Sequence, residues 1–130
     1  MSLKDLKLEF SNKQAVTGTS ATSTNKLDLG LETNNLSGNV HGGGYLNVQC
    51  CKNIAPAENT VTIKLQDSDN GTDFTDVAGA SLTFVKPLKG TQGCLRIPTV
   101  KRYVQVSYSA TTSLTDGKWD AYIGAPIAKH

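Results

Sequence analysis

Apolar and polar residues alternate along most of this chain, with a period of two. Val61, Ile63 and Leu65 are separated by Thr62, Lys64 and Gln66, and Val104, Val106 and Tyr108 alternate with Tyr103, Gln105 and Ser107. Successive side chains of a strand point to opposite faces, so each run predicts a strand with one buried face. The same pattern marks Leu27 and Leu29; Leu46, Val48 and Cys50; Leu82 and Phe84; Leu95 and Ile97; and Trp119, Ala121 and Ile123, while Phe74 and Val77 lie in a further short run. Turn residues fall between these runs. About eight short strands and no sustained helical period predict an all-β fold, a jelly-roll-like two-sheet β-sandwich.

Leu3 and Leu6 would suit a helical turn, but Leu6, Leu8 and Phe10 suit an extended segment, so residues 1–12 are expected to form an extended N-terminal arm. Residues 13–130 are then a single sandwich domain, long enough to bury on the order of two-thirds of its unfolded surface. The first ten residues, MSLKDLKLEF, lack the apolar block and small-residue cleavage site of a secretory signal. No apolar run approaches the roughly 20 residues that span a bilayer, so no membrane partner is expected.

The stretch LQDSDNGTDFTDV places Asp67, Asp69 and Asp73 around Asn70-Gly71. A calcium loop of the EF-hand kind needs acidic or amide ligands at its first, third and fifth positions and Glu at its twelfth. With Gly71 at the sixth position, those places hold Gln66, Ser68 and Asn70, with Val77 last, and the carboxylates are lost. Turn chemistry fits better: Asp and Asn tolerate tight dihedrals and Gly takes the left-handed position that closes a hairpin. GNVHGGGY, from Gly38 to Tyr45, resembles a phosphate loop only in its glycines, because a strand follows it and no helix N-terminus receives the anion.

A net charge of +2 with the lysines spread along the chain is too little for neutralising many phosphates, so no nucleic-acid partner is expected. Three cysteines, Cys50, Cys51 and Cys94, show no CxxC spacing and read as free thiols. His41 lies among glycines and His130 is the last residue, poor places to hold a catalytic base, and GASLT lacks the second glycine of a nucleophile elbow. Asp73, Asp76, Asp116 and Asp120 could in principle converge as a glycosidase pair, but acids near turns are ordinarily solvated. The expectation is a protein without catalytic residues, metal or cofactor.

Trp119 shares its phase with Ala121 and Ile123, which predicts a core position, whereas Tyr45, Tyr103 and Tyr122 fall on the opposite phase. Tyrosine suits interfaces where an apolar ring needs a polar end, so these three are candidates for a covered face. The one compact basic patch is Arg96, Lys101 and Arg102, which contains both arginines of the chain, and Arg suits bidentate pairing with carboxylates.

Three stretches in order, FSNKQAVTGTSATSTNKLDLG (Phe10 to Gly30), VTIKLQDSDNGTDFTDV (Val61 to Val77) and RYVQVSYSATTSLTDGKWDAYI (Arg102 to Ile123), resemble the capsid cement, or decoration, proteins of short-tailed bacteriophages. The shared elements are Phe10-Ser11, Gln14 to Val16, Ser23 to Asn25, Asp28 to Gly30, Gln66 to Ser68, and Arg102-Tyr103. The resemblance implies a jelly-roll-like domain that binds outside an icosahedral shell assembled in the host cytoplasm and clamps neighbouring major capsid protein subunits. It also implies a symmetric homo-oligomer, a dimer in preference to a trimer, without a cofactor. Candidate contacts are Phe10 of the arm, Tyr45, Tyr103 and Tyr122, and the trio Arg96, Lys101 and Arg102. The alternative is a carbohydrate- or receptor-binding sandwich module of a virion.

Overall fold

The computed structural model describes residues 9–28, 45–98 and 100–124. Among them lie nine strands: β1 (Glu9–Ala15), β2 (Gly18–Thr22), β3 (Leu27–Asp28), β4 (Tyr45–Ala55), β5 (Thr60–Ser68), β6 (Thr75–Val85), β7 (Gln92–Arg96), β8 (Tyr103–Leu114) and β9 (Asp116–Gly124). The first sheet has the order β1-β9-β4-β7 and the second β2-β8-β5-β6, with β3 also pairing β8. All pairings are antiparallel, and β3 continues along β8 where β2 leaves off. Counted as one interrupted strand, β2 and β3 leave four strands in each sheet. Every connection except the β5–β6 hairpin passes from one sheet to the other, which is the winding of a double-sheet jelly roll. The GNVHGGGY glycines, Leu29, His41, His130 and the first eight residues lie outside the described residues.

Strand phase builds the core as the alternation predicts. Val61, Ile63 and Leu65 of β5 and Val106 and Tyr108 of β8 are fully buried, and they face Leu46, Val48 and Cys50 of β4 and Trp119 and Ala121 of β9, which are also fully buried. Trp119 packs its ring 5.6 Å from Phe84 and 6.4 Å from Tyr108, centroid to centroid. These offset ring contacts add to the burial of the largest side chains of the core.

Two expectations are corrected. β1 covers Glu9–Ala15, so residues 9–12 belong to the sheet and the arm expected through residue 12 does not include them. Phe10 and Ser11 are both fully buried although adjacent, because the pairing with β9 breaks register between Glu9 and Ser11. A bulge of this kind turns consecutive side chains to the same side, which no period-two reading detects. Ser11 is accommodated inside by a 2.8 Å hydrogen bond between its Oγ and the hydroxyl of Tyr108. The second correction concerns β6, expected as two short runs and found as one strand with a large bulge: Asp76 pairs Gln66 and Ser81 pairs Lys64, leaving Val77 to Ala80 opposite Leu65.

All four outer strands are unsuited to adding a further strand. β1 carries two register breaks and Lys13 at φ 49°, β2 and β3 are interrupted, β6 is bulged, and the five-residue β7 lies between Pro87 and Pro98. Interruption, bulges and short length are the devices that keep sheet edges from pairing with other chains.

Candidate interaction surface

The winding brings the end of β3, the β5–β6 turn and the β7–β8 connection to one end of the sandwich. Asp28 and Ser68 both pair with Tyr103, and Tyr45 pairs with Arg96 and Gly124. Six of the seven candidate contacts, separated by up to scores of residues in sequence, are thus gathered near this end. They do not form one face. Tyr45 and Tyr122 lie on the outer face of the first sheet with Arg96 beside them on β7, whereas Lys101 and Arg102 lead into β8 of the second sheet, which Tyr103 opens. Phe10 is removed from the candidate surface by its complete burial.

The basic patch is committed internally at Arg102. Its Nε donates to Asp28 Oδ1 at 2.7 Å and its Nη2 to Asp28 Oδ2 at 3.0 Å, the bidentate geometry that the guanidinium fork favours. Its guanidinium carbon also stands 5.0 Å from the centroid of the Tyr103 ring. Under that same ring lies Gly71 at φ +79°, where an added Cβ would meet Tyr103 carbons at 3.5 Å. Arg102 and Tyr103 thus join β3, β8 and the β5–β6 turn. Lys26 adds a further tie, its Nζ 5.4 Å from the centroid of Phe74.

The acids of the turn have structural partners as well. Asp67 is 9% exposed and its Oδ2 accepts from the backbone N–H of Lys101 at 3.0 Å. Ser68 Oγ accepts from the N–H groups of Asn70 and Gly71, and Asn70 Oδ1 accepts from those of Thr72 and Asp73. Asp73 accepts from the Asn70 amide at 3.0 Å. Side-chain oxygens thus replace the backbone acceptors that a chain reversal leaves unavailable, as the turn reading requires. Among the described residues no group of three His, Cys, Asp or Glu side chains is placed to hold a metal ion.

Polar joints also tie β1 to β2 and to the segment between β2 and β3, across the two sheets. Gln14 accepts from Ser11 Oγ and from the N–H of Thr24 through Oε1, and its amide donates to the Thr22 carbonyl. Asn25 donates to the carbonyls of Glu9 and Phe10, and the buried Ser23 Oγ accepts from Val106 N–H at 3.0 Å. In the sequence these residues stand out only as elements of the resemblance, Ser11, Gln14 and Ser23 to Asn25. Their role depends on partners far along the chain, which no local signal reports.

Electrostatics follow burial and pairing. Burial raises the Tyr108 phenol well above its ordinary range, and it raises Tyr122 with Asp120 adding to the effect. The Cys51 thiol is pushed up to about 11, first by burial and then by Asp120, and burial also raises Cys50. Both are protonated at neutral pH and poor nucleophiles. All three cysteines are free thiols.

The described strands agree with a family match. The Bbp16 family model covers residues 10–123, and this chain belongs to that family. No curated protein matches it. Among solved structures it is similar to PirA, with 11% sequence identity, a TM-score of 0.48, and coverage of 88% of this chain and 94% of that one. It is also similar to the PBSX exported protein XepA, at 15% identity and a TM-score of 0.41, over 90% of this chain but 39% of that one. Neither likeness is close enough to bear on function.

Proposed function

From membership of the Bbp16 family and the resemblance to phage cement proteins, we propose that this chain is a structural virion protein that binds the outside of a bacteriophage capsid and cements neighbouring major capsid protein subunits. It works without a catalytic residue or cofactor, as a homo-oligomer for which a dimer is favoured, on shells assembled in the host cytoplasm.

One observation carries this reading. The three stretches that resemble cement proteins fold into mutually paired elements: β1 lies against β9, and β2 and β3 against β8, which in turn lies against β5. The shared residues meet one another, Asp28 with Arg102 and Ser68 with Tyr103 by register. The residues that carry the resemblance are therefore among those that tie this domain together. Asp28 and Arg102 remain partly exposed but are engaged with each other in holding the fold.

A clamp that binds assembled shells and not dissociated subunits stabilises by mass action, about 2.7 kcal/mol per site at a hundredfold excess over the dissociation constant. Shells without the protein are expected to rupture at lower temperature, and reconstructions with and without it should differ by density on the outer surface. Equal rupture temperatures overturn the reading. Retention on polysaccharide without binding to shells would instead identify a carbohydrate-binding module.

A further inference from the structure

At the other end of the sandwich the connection from β6 to β7 is built to a different rule. Every backbone N–H from Lys86 to Thr91 is hydrogen-bonded: Lys86 to the Asn59 carbonyl at 2.8 Å, Leu88 to Thr91 Oγ1 at 3.0 Å, Lys89 to Asn53 Oδ1 at 2.7 Å, Gly90 to the Cys50 carbonyl at 2.7 Å and Thr91 to the Leu88 carbonyl at 2.9 Å. Pro87 has no N–H to satisfy. Lys86 is held at φ 51°, a left-handed conformation that is unfavourable for a residue with a side chain. The loop is therefore fixed by its backbone and by Asn53 and Asn59 beneath it.

This rigid backbone presents apolar side chains outward. Val85 is 70% exposed and Leu88 62% exposed, and they are the two exposed large hydrophobic residues among those described. Single exposed apolar residues are commonplace. Val85, the last residue of β6, and Leu88 of the fixed loop flank a strained lysine and have a different character, because ordering them gains no burial within the chain. The charges around them are mostly positive. Lys52, Lys86, Lys89 and Lys118 belong to this end with Glu58 and Asp116, and the two acids are taken by Lys86 and Lys52. Lys89 and Lys118 form no ion pair among the described residues.

We infer that the loop of residues 85–91 is a preformed anchor that inserts Val85 and Leu88 into an apolar recess rimmed by carboxylates on a protein partner. This rests on the shell-binding reading, which makes the outer surface of the shell that partner. A pre-ordered loop loses little entropy on docking. Two aliphatic side chains are too small to form a whole interface, so the loop acts as one anchor within a larger contact, repeated over many copies on the shell.

The test is co-sedimentation of the full chain with shells assembled without it, as a titration. For Val85→Ser with Leu88→Ser the expected result is binding weakened by at least about tenfold, about 1.4 kcal/mol, with an unchanged melting temperature; Leu88→Asn alone gives a smaller loss and guards against misfolding of the double variant. Lys89→Ala with Lys118→Ala should flatten the salt dependence of binding. If the wild-type protein binds shells and the serine variant binds equally well, the anchor is overturned while the cement reading stands. If the wild-type protein does not bind shells, the cement reading falls and takes with it the occupant assigned here. If the serine variant loses self-association but binds shells normally, the occupant is a second copy of the chain, and the inference is again overturned.

Discussion

The two ends of this sandwich use their residues in opposite ways. At the end that holds the β5–β6 turn, side chains do the joining: Arg102 grips Asp28, Tyr103 covers Gly71, and Asp67 accepts from the backbone of Lys101. At the β6–β7 end the loop is held through its backbone donors, and its apolar side chains are left outside. Arginines, tyrosines and clustered acids stand out in a sequence as recognition chemistry. Here several of them are mortar, and the surface left for a partner includes a valine and a leucine that no motif search would single out.

This contrast can be broken or sharpened by substitution, beginning where the largest effect is expected. Gly71→Val forces a branched side chain into a left-handed conformation against the Tyr103 ring and should cost about 2 kcal/mol or more. Gly90→Val, at φ +97° in open space at the other end, should cost only the conformational part, about 1–2 kcal/mol. Equal losses in chemical denaturation would show that Tyr103 does not seat the turn.

Asp67→Ala leaves the Lys101 N–H without its carboxylate acceptor in a part-buried place and should cost about 1–2 kcal/mol, read as a lowered denaturation midpoint at constant slope. Arg102→Ala removes a bidentate pair whose side chains are 42% and 47% exposed, so its effect should stay at about 1 kcal/mol or less. A loss larger than that of Asp67→Ala would mean that the Asp28 pair, and not the buried carboxylate, is the principal joint of that end.

Acid should act on both regions weakly. Asp76 is held below the ordinary carboxylate range, first by the Gln66 amide and then by Lys64, and Asp116 is held down first by Lys52 and then by the Gly117 N–H. A carboxylate with a lowered folded-state value stabilises above its unfolded value and loses that contribution as pH falls through the folded one. The melting temperature should accordingly fall below about pH 4, and Asp76→Asn with Asp116→Asn should reduce that fall. An unchanged acid limb in the double variant would assign the loss to other carboxylates. The smallest effect is expected for Val85→Ser with Leu88→Ser, within about 0.5 kcal/mol, because neither side chain is buried. A larger loss would make the loop part of the core.

Much of the architecture was legible beforehand. The alternation of β5, β8 and β9 identified their inward residues correctly down to Trp119, and Asn70-Gly71 marked the turn. Less was legible at the candidate surface. Tyr45, Tyr103 and Tyr122 do lie off the core phase, but their strands belong to different sheets, so phase alone could not tell one face from two. The N-terminal arm was drawn too long because Phe10 and Ser11 turn inward together at a register break set by β9.

By itself the sequence determined most of the strands from β4 onward, their buried faces and the turn chemistry, because each depends on neighbours within a few residues. Only the tertiary structure decided that Asp28 meets Arg102, 74 residues away, and that Ser11 meets Tyr108, 97 residues away. Pairings at such separations are selected by which strands lie side by side and in what register, and a one-dimensional pattern holds no term for that. The same physics settled the contrast between the ends. A side chain is mortar or surface according to what the winding of the two sheets brings against it, and that winding is a property of the whole chain.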